Sequence, residues 1–208
     1  MILKKLLALP LVAVLISCSV SSDVKEMGLN GKVKSVFQKK YEVENRFGKW
    51  EKGDLSIDVL LVKTKFNNTG RYIESEYYNY NMDMYGKIIP SHENGRIMEE
   101  IFYDRDGKLK SKDVFHYPSK NDITKDVFDA DSNKTRCSKF ILKNGKTVKM
   151  IETIINDEGE DEIHTVLYEY DMKGNLIHER TLNKNGETVG DYRFEYLEFD
   201  SKGNWTKK

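Results

Sequence analysis

The chain has 208 residues, with 34 basic and 34 acidic side chains and 38% hydrophobic residues. Nothing in that balance points to nucleic acid, which calls for a concentrated basic face. Its length suits one domain or one continuous repeat array, and its two cysteines, Cys18 and Cys137, leave stability to strand pairing and packing.

Residues 1–17 read as an address rather than a fold. Lys4 and Lys5 form a basic head, and Leu6 to Ile16 is an apolar stretch too short to span a bilayer as a helix. Leu15-Ile16-Ser17-Cys18 follows and resembles the bacterial lipobox, in which a small residue precedes the cysteine that is lipidated and becomes the mature N-terminus. The resemblance implies lipidation at Cys18 and a membrane anchor, since acyl chains contribute about 0.8 kcal/mol per buried CH₂. An ordinary cleaved signal or an uncleaved anchor is the alternative. Ser19 after the cysteine resembles outer-membrane sorting. Asp23 and Glu26 are a thin version of the acidic run of surface-exported lipoproteins, so periplasmic and surface display both stay open. Residues 18–28 are expected to be a lipidated N-terminus and short polar tether, and residues 29–208 a β-repeat domain.

From Lys32 to Val43 apolar and polar residues alternate as in a half-buried strand. Phe47 to Gly53 reads as a turn or loop. Ile57 to Phe66 is the most apolar strand, and its centre, Val59-Leu60-Leu61-Val62, suggests burial on both faces. The later strands, 71–80, 96–103, 162–170 and 191–199, interleave aromatic with charged residues. No stretch shows a 3.6-residue period with helix caps.

One phrase punctuates these strands, best preserved in Tyr170-Asp171-Met172-Lys173-Gly174-Asn175-Leu176. Asp171 can fold its carboxylate onto backbone N–H groups two residues on, and Gly174 supplies the positive φ that closes a bulged hairpin. Copies with drift contain Gly70, Asp104 with Gly107, Gly186, and Asp200 with Gly203; a looser one runs Asp83-Met84-Tyr85-Gly86. Glu93-Asn94-Gly95-Arg96 and Lys143-Asn144-Gly145-Lys146 carry the Asn-Gly hairpin signal. These turn residues are expected to be structural. The periodicity predicts an all-β antiparallel meander of about ten to twelve strands built from repeated hairpins, as an open curled sheet, with a closed β-barrel as the alternative.

The aromatic-Asp-x-x-Gly phrase resembles the YD repeat of Rhs-type proteins and, more loosely, MORN-type repeats. The start, Leu29 to Val36, and the end, Asp200 to Lys207, resemble lipoproteins of Bacteroides-like bacteria. The resemblance covers most of residues 29–208 and implies a strand-rich scaffold with no catalytic residues to carry over.

Chemical motifs are sparse. The histidines at 92, 116, 164 and 178 have no zinc spacing, although His164 and His178 could face each other on neighbouring strands. Asp129-Ala130-Asp131-Ser132-Asn133 opens like an EF-hand loop, but Lys134 stands where that loop needs glycine and Phe140 where it needs glutamate. Asp157 to Glu162 reads as a solvated acidic turn, with weak calcium binding as the alternative. Cys137 reads as a small half-buried hydrophobe. No nucleophile-and-base pattern stands out, so no catalytic residue, cofactor or metal is expected.

The 12 tyrosines are the most suggestive feature. Strand parity puts Tyr72, Tyr78 and Tyr80 on one face as candidate binding aromatics, with Tyr77 opposite; a cross-strand aromatic ladder is the simpler reading, since it needs no ligand. The expectation is a non-catalytic, lipid-anchored envelope scaffold, monomeric, that binds a protein or glycan and no nucleic acid. A structural lipoprotein pairing through a sheet edge is the alternative, and a hydrolase with an unrecognised site the remaining one.

Overall fold

The computed structural model describes residues 23–46, 49–55, 60–155 and 162–207. The leader and Cys18 lie outside them, as do residues 56–59 and the acidic stretch 156–161. In chain order the elements are a one-turn helix α1 (Asp23–Glu26), β1 (Ser35–Gln38), β2 (Tyr41–Arg46), β3 (Lys49–Leu55), β4 (Leu61–Phe66), β5 (Tyr72–Tyr78), β6 (Met84–Glu93), β7 (Arg96–Asp104) and β8 (Leu109–His116). There follow β9 (Asp122–Asp129), β10 (Lys134–Lys143), β11 (Lys146–Ile154), β12 (Glu162–Tyr170), β13 (Leu176–Leu182), β14 (Thr188–Arg193), β15 (Glu198–Phe199) and β16 (Trp205–Lys207).

Twelve strands form one sheet in the order β1, then β4 to β14 in sequence, every neighbouring pair antiparallel. The meander expected from the repeated turns is present. The sheet ends at β1 and β14, which do not pair with each other, so no barrel closes. β2 with β3 and β15 with β16 are separate hairpins. Part of the stretch read as a loop, Lys49 to Gly53, is therefore strand, because Lys49 and Trp50 pair with Arg46 and Asn45.

Seven turns share one geometry. In the copy headed by Asp171, its carboxylate accepts the N–H groups of Lys173 and Asn175, its own N–H donates to the Asn175 carbonyl, and Gly174 N–H donates to the Asp171 carbonyl. Asn67, Asn79, Asp104, Asp129, Asn183 and Asp200 head the others, each closed by the same pair of backbone bonds. The fourth position always has positive φ. Glycine fills it at 70, 107, 174, 186 and 203, but Met82 (φ 67°) and Ser132 (φ 68°) fill it in the copies headed by Asn79 and Asp129. The Asp129–Asn133 segment, whose EF-hand match fails, is a turn of this repeat. One sequence expectation changes accordingly. The looser copy is Asn79 to Asp83 rather than Asp83 to Gly86, and Gly86 sits inside β6, where a Cβ would lie 2.4 Å from the Tyr103 carbonyl oxygen and 2.6 Å from the Phe102 ring. Asn94-Gly95 and Asn144-Gly145 form the remaining tight hairpins, both residues with positive φ, as a type I′ turn requires.

The sheet is curled. Seven strand spacings of about 4.8 Å would separate β5 from β12 by roughly 34 Å if it were flat. Instead Lys25, next to the Val24 that is tied to Gly70 beside β5, lines one cleft with Lys146 of β11 and Lys173 after β12. Phe66, Tyr72, Ile97, Phe115, Ile123 and Leu142 form one core with Val24 and Leu29. Register shifts in most of the hairpins add twist, as bulges do. A second, smaller core of Met150, Val166 and Tyr168 continues the inner face.

The tether expectation needs correcting for its described part. Residues 23–29 dock into the sheet: Asp23 accepts the Tyr72 N–H at 2.6 Å and lies beside Arg71 and His92, and Val24 N–H donates to the Gly70 carbonyl. Asn30 then meets Asn204 and Lys202 of the last turn through three hydrogen bonds. Only two apolar side chains, Val24 and Leu29, are needed to bury this segment, too few to register as a periodic pattern.

Candidate functional site

The sheet separates the three candidate tyrosines. Lys65 pairs with Glu74 but Phe66 pairs with Tyr72, so one extra residue on β5 reverses strand parity at its start. Tyr72 consequently points into the core at 7% exposure, together with Ser75 and Tyr77, and cannot offer its ring to a ligand. Tyr78 lies on the outer face, packed edge-on against Phe37 at 5.9 Å and donating to Glu76 at 2.9 Å. Tyr80 lies beyond the strand in the turn headed by Asn79, at 50% exposure. Tyr78 belongs to a cross-strand network in which Lys65 reaches both Glu74 (2.7 Å) and Glu76 (2.6 Å). These two carboxylates raise the Lys65 pKa, and burial and Glu76 raise that of Tyr78.

The predicted turn residues Gly70, Asp104, Gly107, Asp171, Gly174, Gly186, Asp200 and Gly203 all occupy the turn positions assigned to them. Hydrogen bonds from Asn133, Asn175 and Asn204 pull the carboxyls of Asp129, Asp171 and Asp200 below the ordinary range, opposed in Asp171 by desolvation. The four histidines stay scattered. His164 pairs across β11 with Glu152 while His178 pairs across β12 with Glu169, so the two do not face each other. Among the described residues no three His, Cys, Asp or Glu side chains gather as a metal site. Cys137 is half-buried, and burial with a hydrogen bond to Asp126 raises its thiol pKa.

Sequence reasoning missed three features. The first is a polar row on the inner face. Glu100 pairs with Asp113 across β7 and β8, Ser138 pairs with both Lys125 and Glu152, and Lys125 reaches Asp113 at 2.8 Å. Burial pushes the Glu100 carboxyl up to about 7, with Lys125 opposing and Asp113 adding to the shift. The row is packed, with Glu100 7% and Ser138 1% exposed. In sequence these residues are separate polar positions in separate strands, and only the pairing register collects them.

The second is the edge strand β14, the last of the sheet. Five of its six residues are exposed, including Val189 (58%) and Tyr192 (55%), and Leu197 beyond it is exposed too. The strand expected over 191–199 is shorter, because β14 ends at Arg193 and the Tyr196 hydroxyl turns back to the Leu176 carbonyl at 3.0 Å.

The third is a cleft of about 590 Å³ between the docked N-terminal segment and the turns at that end of the sheet. Lys25, Asn30, Lys146, Lys173, Asn175 and Phe199 line it, with backbone from Gly28, Gly31 and Gly203. Lys146 donates to the Gly174 carbonyl at 3.1 Å and lies over the Tyr170 ring. The Lys173 ammonium sits 6.0 Å from the centre of the Phe199 ring.

No family model matches the chain, and no curated protein matches it. Among solved structures it is similar to a porin-like protein from Bacteroides uniformis ATCC 8492, at 11% identity and a TM-score of 0.42, over 78% of this chain and 82% of that one. It is also similar to part of the TcdB2-TccC3-Cdc42 complex, at 12% identity and a TM-score of 0.20, over 83% of this chain and 12% of that chain.

Proposed function

We propose that this chain is a non-catalytic, lipid-anchored scaffold of the cell envelope that holds a protein partner by strand addition at β14. The lipobox-like Leu15-Ile16-Ser17-Cys18 supports the anchor and the outer-membrane address. The observation that carries the binding mode is the open edge of a twelve-stranded sheet. β14 hydrogen-bonds to β13 on one side, and its other side faces no strand among the described residues. An extended partner segment would pair with those backbone groups, while Val189 and Tyr192 supply side-chain contacts. β1, the opposite edge, has only four residues and is the weaker template. A glycan is the second reading, favoured by the exposed rings of Tyr80 and Tyr85 at the far end of β5 and β6.

The test places a photo-crosslinking amino acid at Tyr192, and in a separate protein at Tyr85, within cells that make the full chain. A discrete crosslinked partner from position 192 that is lost on Val189→Lys supports strand addition. Crosslinks from position 85 alone would refute it. Mass spectrometry of the N-terminal peptide reports lipid on Cys18, and Cys18→Ala should abolish it.

A further inference from the structure

We propose that the end of the sheet closed by residues 23–31 lies against the membrane, and that its lysine-lined cleft takes the phosphate of an anionic phospholipid headgroup. This rests on the reading of Cys18 as the anchor and goes beyond it by fixing which end faces the lipid.

Asp23 is fastened to β5 by its bond to the Tyr72 N–H and its contact with Arg71, and Val24 is tied to Gly70. Five residue steps separate Cys18 from Asp23, at most about 17 Å of chain. A lipid on Cys18 therefore holds this end of the sheet near the headgroups. The opposite end lies further off by the length of the strands, and the nine residues of β7 alone span about 30 Å.

The two ends of the sheet also differ in charge. Successive turns of an antiparallel meander alternate between its two ends. The near end carries Lys25, Lys120, Lys143, Lys146, Lys173 and Lys202, and its acids Asp171 and Asp200 have their carboxylates folded into their own turns. Asp23 is engaged by Tyr72, Arg71 and His92, and Asp122 by Ser119 and Lys139; Glu26 and Glu93 are the other acids, so with Arg71 and Arg96 this end carries eight bases against six acids. The far end carries six acids, Asp83, Asp104, Asp106, Asp129, Asp131 and Glu187, against four bases, Arg105, Lys108, Lys134 and Lys184, so among the described residues it is net negative. An anionic leaflet attracts the first end and repels the second, by about fivefold in population for each lysine near the surface.

Lys25, Lys146 and Lys173 come from three distant parts of the chain to line one concavity, beside the amide side chains of Asn30 and Asn175. Lys202 reaches its rim, with its Cδ 3.1 Å from a Cβ built on Gly31. The ammonium groups around this concavity match a phosphate monoanion, while the Asn30 and Asn175 amides already donate to the Lys202 carbonyl and the Asp171 carboxylate.

The experiment uses the full chain, processed in cells and reconstituted into phosphatidylethanolamine vesicles with or without phosphatidylglycerol, carrying a headgroup quencher. A fluorophore is placed at Ser201→Cys on the near end or Asn185→Cys on the far end, in a Cys137→Ser background. The expected result is strong quenching at 201 and little at 185. Quenching at 201 should increase with phosphatidylglycerol, fall in a Lys25→Gln, Lys173→Gln protein, and return in the Arg versions of both. With lipid on Cys18 confirmed by intact mass, equal quenching at the two sites overturns the orientation and leaves the anchor standing. Quenching at 201 that ignores both phosphatidylglycerol and the lysines overturns the headgroup site. A protein with no lipid on Cys18 overturns the anchor and the inference together.

Discussion

Glu100→Gln should make the protein more stable at alkaline pH and remove a large part of its pH dependence. Glu100 is almost fully buried, in register with Asp113 and near Lys125, and its carboxyl titrates at about 7 rather than the ordinary 4.5. Between those values the unfolded chain has released the proton while the folded chain still holds it. The unfolded state then binds fewer protons, so stability is full below about pH 4.5 and is lost as pH rises through 7. A displacement of this size corresponds to roughly 3 kcal/mol, at about 1.4 kcal/mol per tenfold change in the ionisation constant. Burial removes the solvent screening that would shrink this figure at a surface site. Glutamine keeps the shape and stays neutral, so the variant should match the wild type near pH 4 and exceed it by roughly 3 kcal/mol near pH 8. Urea unfolding across that range measures the difference, and subtracting the two curves cancels the histidines common to both proteins. Parallel curves for wild type and variant would refute the reasoning, because they would mean that Glu100 ionises in the folded protein as readily as in the unfolded chain.

Gly174→Val should destabilise by about 2 kcal/mol or more, since a β-branched residue is strained at φ 84°, whereas Gly174→Asn should cost less than about 1 kcal/mol; equal melting temperatures would contradict the turn geometry. Gly86→Ala should cost about 2–3 kcal/mol despite its ordinary φ, because its Cβ would meet the Tyr103 carbonyl at 2.4 Å; thermal melting reads this directly. Val24→Ala should lower stability by about 2 kcal/mol by opening a void against Phe66 and Tyr72, and a free tether would show no change in urea unfolding. Tyr78→Ala should cost about 1 kcal/mol through the lost contact with Phe37, leaving crosslinking from Tyr192 unaltered.

Local chemistry made the strands and turns legible from sequence. An Asp or Asn followed three residues later by glycine closes a turn through its own side chain and backbone, whatever surrounds it, and this recurs from Asn67 to Asn204. Alternation between the turns specified strands, and their antiparallel order followed from loops too short for a crossover. The same rule misplaced one turn, because Met82 and Ser132 show that the fold tolerates side chains where glycine is the usual signal. The faces were harder to read. One extra residue near Ile73 sends Tyr72 inward and leaves Tyr78 outside, and a bulge of this kind has no signature in composition. Contacts across the curl were not readable at all. Asn30 meeting Asn204, Val24 covering Phe66, and three lysines sharing a cleft join residues far apart in sequence. Sequence by itself determined hairpins and their order, because those depend on interactions within a few residues. Only the tertiary structure decided which side chains face inward and what closes the end of the sheet, because bulges, twist and curl accumulate over twelve strands and no single strand encodes their sum.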